Sequence, residues 1–287
     1  MKWYTKFYKI HDTDPDQVPQ EIYDRIRDNF KNGFSSADPV VSLVVIAYNE
    51  ERNLPACLWS LSEMKSKYPL EIIGVNNNSG DRTAQVYERC GITPLFQDEY
   101  QSPGASRQCG LMHARGKYYF CLDADLLYPP AYVDAMMAEL TRPGVVAVSS
   151  RYSYMPDENH SALSLWLYER VRNLHLSLLA AKRPEHAVRG AVFAHDLPLA
   201  KKIGYRMDIF RGEDGSMALQ LMQYGKVKFV NKRACTAAIG CSHLGQASTV
   251  SSLSDRIKRH FRDIKGYFVR KKVRRDQPEN IVKRKGE

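Results

Sequence analysis

The chain contains a nearly uninterrupted apolar run, Val41-Ser42-Leu43-Val44-Val45-Ile46-Ala47. Such a run, rich in β-branched residues and without polar alternation, is typical of a strand buried on both faces of a sheet. Strand-like and helix-like patterns then alternate up to residue 122. Strands are predicted over 71–75, 93–96 and 117–122, and helices over 53–64, 83–90 and 106–114. This alternation predicts an α/β fold with a parallel, doubly wound sheet.

Composition limits the class of protein. The 287 residues are 44% hydrophobic and 26% charged, which is typical of a globular chain and not of a disordered one. No apolar run reaches the roughly 20 residues that span a bilayer, and no secretory signal follows Met1. Six cysteines without CxxC spacing favour reduced thiols over zinc or disulfides. We therefore expect a cytoplasmic protein that is not an integral membrane protein.

Most of the positive charge lies near the C-terminal end. Residues 255–287 hold 13 Lys and Arg against 5 Asp and Glu, a net charge of +8 out of +10 for the chain. Ile257, Phe261, Ile264 and Phe268 recur there at helical spacing, so an amphipathic helix is predicted. This helix would either lie on an anionic membrane surface or pack on the domain with its basic face in solvent. We expect no nucleic-acid partner, because the basic residues are confined and no such binding motif occurs.

Two carboxylates directly follow the strand predicted over 117–122. Asp123 and Asp125 are two positions apart, so their side chains point the same way while the chain stays extended. Ligands of doubly wound sheets bind outside the carboxyl ends of the strands, where this pair would lie. Paired carboxylates need a cation, and Mg²⁺ binds through one or two carboxylates together with phosphate oxygens. The pair predicts a metal–diphosphate site, with a solvated acidic turn as the alternative.

Other candidate residues lie later in the chain or at turn-to-helix junctions. Glu213 and Asp214 open a predicted helix, which suits either an N-cap or a general base that takes a proton from an attacking hydroxyl. His243 is either a third metal ligand or a structural histidine. Arg107 can pair with a diphosphate or lie at the surface. Neither GxGxxG nor GxxxxGK[ST] occurs, so dinucleotide-binding and P-loop functions lose support.

Several of these stretches, in order between residues 41 and 230, resemble family 2 glycosyltransferases with the GT-A fold. The stretches are VSLVVIAYNEE at 41–51, NNNSGDRT at 76–83, GASR at 104–107, ARGKY at 114–118, DAD at 123–125 and RGED at 211–214. The resemblance implies a mostly parallel central sheet with flanking helices. It also implies an inverting enzyme of the bacterial surface-polysaccharide type, peripheral to the inner face of the plasma membrane. Such an enzyme uses Mn²⁺ or Mg²⁺ and moves a sugar from a nucleotide-diphosphate sugar to a glycan or lipid-linked acceptor hydroxyl.

The resemblance also implies roles for individual residues. On the donor side, Ala47, Tyr48 and Glu50 would hold the nucleoside, with Tyr48 stacked on the base and Asn77 also in contact with the base. Arg107 would lie near the donor, and Asp123 would contact the donor ribose or a metal-bound water. Asp125 would be the direct metal ligand and His243 a late metal or diphosphate contact. On the acceptor side, Asp214 would be the catalytic base, Glu213 would lie beside the acceptor, and Arg189 and Gly190 would begin the lining of the acceptor pocket.

Two positions depart from the family pattern. Ile46 replaces a usual proline, and Asn77 replaces an acid. An Asn amide oxygen accepts the N3–H of uracil, whereas the two adjacent donors of guanine suit a carboxylate better. A uridine diphosphate sugar is therefore the favoured donor.

We expect three segments. They are an N-terminal helical extension (1–38), a glycosyltransferase domain (39–250, with a nucleotide-binding half at 39–125 and an acceptor-binding half at 126–250) and a basic amphipathic C-terminal segment (251–287).

Two other functions stay open. A sugar-1-phosphate nucleotidyltransferase would need a basic, Gly-rich loop after the first strand, where this chain is acidic. A non-catalytic nucleotide-sugar or glycan-binding module would not need Asp123, Asp125 and Asp214 together.

Overall fold

A computed structural model describes residues 2–34, 36–157, 160–237, 258 and 278–286. The helices are α1 (Thr5–Tyr8), α2 (Gln20–Gly33), α3 (Leu54–Ser62), α4 (Thr83–Arg89), α5 (Pro103–His113), α6 (Tyr132–Leu140), α7 (Ala162–Lys182), α8 (Leu197–Ile203) and α9 (Glu213–Leu221). The strands are β1 (Val41–Ala47), β2 (Leu70–Asn76), β3 (Leu95–Phe96), β4 (Tyr118–Asp123), β5 (Leu126–Leu127), β6 (Val145–Met155), β7 (Val192–Asp196) and β8 (Lys226–Ala237). Short 3₁₀ turns occur at Pro184–His186 and Pro278–Asn280.

The strands form one sheet in the order β3-β2-β1-β4-β7-β6-β8-β5. β1 runs parallel to β2 and β4, β2 is parallel to β3, and β6 is parallel to β8. β7 lies antiparallel between β4 and β6, and β5 is antiparallel to β8. The predicted α/β fold with a mostly parallel sheet is therefore confirmed.

The sheet is covered on both faces. Leu43 and Val45 of β1 point into one hydrophobic cluster, which includes α3 and α6, whereas Val44 points into a second cluster on the other face. This arrangement explains why β1 is an apolar run without alternation, since neither of its faces meets water. Across the described helices, none combines the length and the hydropathy needed to cross a bilayer.

The first half of the chain follows the predicted order, with small shifts at element ends. β1 spans the predicted residues, whereas α5 begins at Pro103, three residues before the predicted start. The reason is an N-cap, because the Ser102 hydroxyl accepts a hydrogen bond from the Ala105 N–H at 3.1 Å. In the second half, β8 extends over twelve residues, from Lys226 to Ala237, and it pairs with β6 along nearly its whole length.

The N-terminal segment packs into the main core. Phe7, Tyr23 and Ile26 are fully buried in the same cluster as β1 and α3. Arg82 fastens the segment to the loop after β1, since its guanidinium pairs with Asp14, Asp16 and Glu51 at 2.7, 2.7 and 3.0 Å.

The C-terminal segment is described only in part. The amphipathic helix predicted after residue 251 lies outside the described residues, apart from Lys258. Residues 278–286 return to the domain, where Ile281 bridges to Ile209 and the Lys285 N–H donates to the Glu99 carbonyl at 2.9 Å. The end of the chain therefore lies against the turn that precedes α9.

Candidate active site

A cavity of about 300 Å³ lies at the carboxyl ends of β1, β2 and β4. Its opposite wall comes from Gly190 and from the turn before α9 together with the first residues of that helix. The lining residues are Ile46, Ala47, Tyr48, Glu50, Asn77, Pro103, Ser106, Arg107, Asp123, Ala124, Asp125, Gly190, Phe210, Arg211, Gly212, Glu213 and Asp214. The cavity thus occupies the place that the carboxyl-end rule for parallel sheets predicts.

Hydrogen bonds between the loops after β1 and β2 shape the donor side of the cavity. Asn49 has a left-handed backbone (φ 53°), which turns the chain directly after Tyr48. Its N–H donates to the Ser79 hydroxyl at 3.0 Å, and its Oδ1 accepts from the Gly80 N–H at 2.9 Å. The Glu50 N–H donates to the Thr83 hydroxyl at 2.9 Å. These hydrogen bonds tie the two loops together and thereby hold Tyr48 and Glu50 at the cavity wall.

Asn77 follows β2 and is buried against the same wall. Its N–H donates to the Ala47 carbonyl at 2.9 Å, and its Nδ2 donates to the Ser102 carbonyl at 3.5 Å. Its Oδ1 is buried and accepts no hydrogen bond from the described residues. Asn77 therefore offers an unused acceptor at the cavity.

Tyr128 holds the turn that carries Asp123 and Asp125. Its hydroxyl accepts from the Asp123 N–H at 3.0 Å and donates to the Ala191 carbonyl at 2.8 Å. The chain leaves the extended conformation directly after Asp123, yet both aspartates line the cavity.

Burial and mutual repulsion disfavour the charged forms of two carboxyls on this side. Burial raises the pKa of Glu50 to about 7, against the lowering effect of the hydrogen bond from Asn53, and the Asp123 charge adds to the rise. Burial, with Glu50 and Asp123 nearby, also raises the pKa of Asp125 well above its ordinary value. A divalent cation bound here would offset the repulsion among the carboxylates of Glu50, Asp123 and Asp125.

The donor chemistry of these residues fits such a cation. Carboxylate oxygens are the ligands that Mg²⁺ and Mn²⁺ prefer. Among the described residues, however, no three Asp, Glu, His or Cys side chains form a group that could hold a metal ion. Remaining ligands would have to come from a bound diphosphate or from residues outside the described ranges.

The acceptor side is built on the first turn of α9. Gly212 precedes this helix with a left-handed backbone (φ 93°), so the chain enters the helix with Glu213 and Asp214 facing the cavity. The Asp214 Oδ1 also accepts from the Gly215 N–H at 2.8 Å, which is a local contact at the helix start. The pair therefore lies both at a helix start and on the cavity wall. Burial raises the pKa of Glu213 to about 7, against Arg107, while Asp214 adds to the rise.

Arg107 links the two sides. Its Nη2 lies 2.9 Å from the Asp123 Oδ1, and its Nη1 lies 3.3 Å from the Glu213 Oε1. The side chain is 3% exposed, and although burial opposes the charge, the two carboxylates outweigh it and raise the pKa of Arg107 above its ordinary value. A Cβ at Gly190 would lie 2.2 Å from Arg107 Nη2, so only glycine leaves room for this guanidinium.

The structure brings most of the predicted site residues together. Ala47, Tyr48, Glu50, Asn77, Arg107, Asp123, Asp125, Gly190, Glu213 and Asp214 all line the cavity. Arg189 does not line it, because its guanidinium turns back to donate to the His186 and Val188 carbonyls at 3.0 and 2.6 Å. His243 lies outside the described residues.

Sequence reasoning missed Tyr128 and the lining residues Pro103, Ser106 and Phe210. Ser106 is part of the GASR stretch and Phe210 directly precedes the RGED stretch, which was the available signal. Tyr128 had no such signal, because its role depends on contacts with both Asp123 and Ala191.

Comparisons with solved structures support the fold. A mannosyltransferase from Pyrobaculum calidifontis, in complex with GDP-Man and Mn²⁺, superposes with a TM-score of 0.58 at 19% identity, covering 90% of this chain and 72% of that one. Glucosyl-3-phosphoglycerate synthase from Mycobacterium tuberculosis, in complex with Mn²⁺, UDP-glucose and phosphoglyceric acid, gives a TM-score of 0.53 at 19% identity, covering 82% of this chain and 84% of that one.

Sequence comparisons give the family. Two dolichyl-phosphate beta-glucosyltransferases of Trichomonas vaginalis are 38% identical over 108 residues and 35% identical over 133 residues. These matches cover 33% and 41% of this chain and the same shares of the relatives, so the chain spans well under half the length of either relative. Residues 42–193, just over half of the chain, match Glycosyl transferase family 2. The chain therefore belongs to glycosyl transferase family 2.

Proposed function

We propose that this protein is a metal-dependent, inverting glycosyltransferase. It moves a sugar from a nucleotide-diphosphate sugar, with UDP as the nucleotide, to the hydroxyl of a glycan or lipid-linked acceptor. One observation carries the proposal: a single cavity holds Asp123 and Asp125 on one wall and Glu213 and Asp214 on the other. Membership in glycosyl transferase family 2 favours sugar transfer over the nucleotidyl-transfer and pure binding alternatives.

The donor would lie against the ends of β1, β2 and β4. Tyr48 stacks on the base, and Ala47 and Glu50 hold the nucleoside. Asn77 reads the base, because its Nδ2 already donates to Ser102 and its buried Oδ1 is left to accept the N3–H of uracil.

Asp125 would hold the metal, because burial and the nearby Glu50 and Asp123 disfavour its charged form and a cation would offset that cost. Asp125 would be the direct ligand, and Asp123 would contact the donor ribose or a metal-bound water. His243 is a further ligand in this proposal. When bound, Mn²⁺ or Mg²⁺ would neutralise charge that grows on the departing diphosphate.

Asp214 acts from the opposite wall. Its carboxylate accepts the proton of the acceptor hydroxyl while that oxygen forms a bond to the anomeric carbon. The bond between the anomeric carbon and the diphosphate oxygen breaks, and the electron pair leaves with the nucleoside diphosphate. A single displacement of this kind inverts the anomeric configuration. Glu213 lies beside the acceptor. Arg107 pairs with both Glu213 and Asp123 and so fixes the position of Glu213 relative to Asp123.

We propose that the acceptor is carried on a lipid. The names of the two Trichomonas vaginalis relatives include a dolichyl phosphate, which supports an acceptor carried on a lipid. A lipid-linked acceptor would place the enzyme at a membrane surface, and we propose the inner face of the plasma membrane, as in the assembly of surface polysaccharide. A lipid phosphate is already anionic near pH 7 and needs no base, whereas a hydroxyl does need one.

The test is to replace Asp214 with Asn. We expect Asp214→Asn to abolish transfer from a UDP-sugar to a hydroxyl acceptor in the presence of Mn²⁺ and to leave UDP binding intact, as measured by calorimetry. Asp134→Asn, on the remote helix α6, is the matched control and should keep both properties. Transfer by Asp214→Asn at a near wild-type rate would show that Asp214 is not the base.

A second measurement addresses the nucleotide and the metal. Thermal-shift screening against UDP, GDP, CDP and dTDP with Mn²⁺ should give the largest shift with UDP, and EDTA should remove it. A larger shift with GDP would contradict the role given to Asn77.

A further inference from the structure

One side of α7 exposes apolar side chains between Leu163 and Leu174. The helix has 21 residues and is therefore about 30 Å long. Leu163, Trp166, Leu167 and Leu174 are 74%, 52%, 52% and 55% exposed. Their spacings of three, four and seven residues place them on one face. We call these four residues the apolar face of α7.

The opposite side of α7 is fixed to the domain. Glu169 is buried and lies 3.0 Å from Arg233, and it also accepts from the Tyr154 N–H at 2.7 Å. Arg172 is buried too, donates to the Tyr152 carbonyl and lies 4.7 Å from the centre of the Tyr152 ring. These buried charged contacts set the rotation of α7, so its apolar face points to solvent because of packing and not by chance.

The charge on the exposed side is positive. Glu169 is the only acidic residue in the sequence of α7, and it is turned inward. Arg170 lies among the apolar residues, with its guanidinium 4.8 Å from the centre of the Trp166 ring. Lys182, at the end of the helix, is exposed. The exposed side of α7 therefore carries Arg170 among its apolar side chains and no exposed acid over Ala162–Lys182, all of which the structure describes.

This combination matches an anionic lipid surface. Apolar residues that line up along one helix face mark an interaction surface, unlike scattered exposed ones. Tryptophan is favoured at the membrane interface, and the long stem of an arginine lies along apolar groups while its charge reaches the headgroups. Residues 255–287, with a net charge of +8, would bring like charge towards Arg170 if they covered this face. A second copy of α7 would likewise bring Arg170 towards a like charge.

The position of α7 connects this surface to the cavity. The helix leads into the 3₁₀ turn Pro184–His186, which contacts α9. The contact is close, because a Cβ at Gly215 would lie 2.7 Å from the Glu185 carbonyl oxygen. The C-terminal end of α7, about 12 Å beyond Leu174, thus lies near the helix start that carries Asp214.

We propose that α7 docks on an anionic lipid bilayer, with Leu163, Trp166, Leu167 and Leu174 at the interface and Arg170 among the headgroups. The inference builds on the proposed function, in which the acceptor is carried on a lipid. It identifies the surface that would bring the acceptor side of the cavity to such a lipid.

The experiment uses the full chain and vesicles of phosphatidylcholine, with or without about 30% phosphatidylglycerol. One variant combines Trp166→Ser, Leu167→Ser and Leu174→Ser. Its matched control, Phe96→Ser with Met112→Ser and Leu219→Ser, removes three apolar residues of similar exposure elsewhere. Co-sedimentation should show about tenfold weaker partitioning onto anionic vesicles for the α7 variant. The control should bind like the wild type.

Arg170→Glu provides a second variant that changes a surface charge without removing apolar contacts. It should lower partitioning onto anionic vesicles several-fold and leave any partitioning onto neutral vesicles unchanged. Wild-type binding by both α7 variants would overturn the proposal, and so would absence of wild-type binding. A dimer of the wild type that the α7 variant converts to monomer, with vesicle binding unchanged, would also overturn it and assign the face to a second copy.

A separate readout distinguishes this inference from the proposed function. Hydrolysis of a UDP-sugar with Mn²⁺, measured without vesicles, should be the same in the wild type and in the α7 variants. Absence of turnover in the wild type would contradict the proposed donor chemistry and leave the vesicle result standing. Loss of turnover in the α7 variants alone would show that these substitutions disturb the cavity itself and would overturn the docking role.

Discussion

Replacing Arg107 with Met should strongly destabilise the protein. The guanidinium is 3% exposed and pairs with Asp123 and Glu213 across the cavity. Removing one partner of a buried ion pair costs about 3–5 kcal/mol, because the remaining charge is left uncompensated. The Glu213 side chain is 8% exposed and bears most of this cost, whereas Asp123 is 33% exposed and partly screened by water. We therefore expect Arg107→Met to lower the free energy of unfolding by about 3 kcal/mol.

The loss should depend on pH in a defined direction. Burial raises the pKa of Glu213 to about 7, and Arg107 partly opposes this rise. Without Arg107, the pKa of Glu213 should rise further. A carboxyl with a raised native pKa loses its contribution to stability as pH increases through that pKa, whereas the contribution is complete below the unfolded value of about 4.5. The destabilisation by Arg107→Met should therefore be larger near pH 8 than near pH 5.5.

Urea unfolding followed by circular dichroism at both pH values measures these differences. Arg142→Met is the control, because Arg142 is 64% exposed in its pair with Glu139 and its loss should cost less than about 1 kcal/mol. Adding Glu213→Gln to Arg107→Met should recover part of the lost stability near pH 8. The reasoning fails if Arg107→Met costs no more than Arg142→Met at both pH values, or if the two substitutions in the pair are additive.

Three further predictions concern buried contacts in the domain. Gly190→Ala places a Cβ 2.2 Å from Arg107 Nη2, so it should displace the guanidinium and lower UDP-sugar turnover at least tenfold. Steady-state kinetics measures this change, and unchanged turnover would contradict the prediction. Tyr128→Phe leaves the Asp123 N–H without its partner and should cost about 1–3 kcal/mol in urea unfolding, and a loss below about 0.5 kcal/mol would contradict this. Burial lowers the pKa of His195 from 6.5 to about 4, so its contribution to stability is complete above pH 6.5 and is lost as pH falls towards 4. Between about pH 7.5 and pH 5 the loss should be about 2 kcal/mol, and His195→Gln should remove that part of the pH dependence, which an unchanged slope would refute.

Local patterns were enough to predict the donor half of the fold. The apolar run of β1 indicates a strand that is buried on both faces. The helical spacing of apolar residues after it indicates a helix that covers the sheet. Both are properties of neighbouring residues, so one sequence reveals them. The positions of Asp123 and Asp125 at the cavity followed from the same patterns, since the carboxyl ends of adjacent parallel strands meet at one edge.

The acceptor half depends on pairings between distant residues, and its order could not be predicted. β7 lies antiparallel between β4 and β6, although about 70 residues separate it from β4 in the chain. The closure of the cavity has the same origin. Arg107, Gly190 and Glu213 come from three separate parts of the chain and meet only in the fold.

The sequence by its periodicity and residue chemistry therefore specified an α/β sheet with an acidic, ligand-binding edge. Tertiary contacts alone specified that Arg107 ties the two acidic walls together, that Arg189 turns away from the cavity, and that α7 keeps its apolar side in solvent. Helical spacing shows that α7 is a helix, but its outward side is chosen by the burial of Glu169 and Arg172 against β6 and β8. Periodicity records which residues share a face, whereas only long-range packing determines what that face meets.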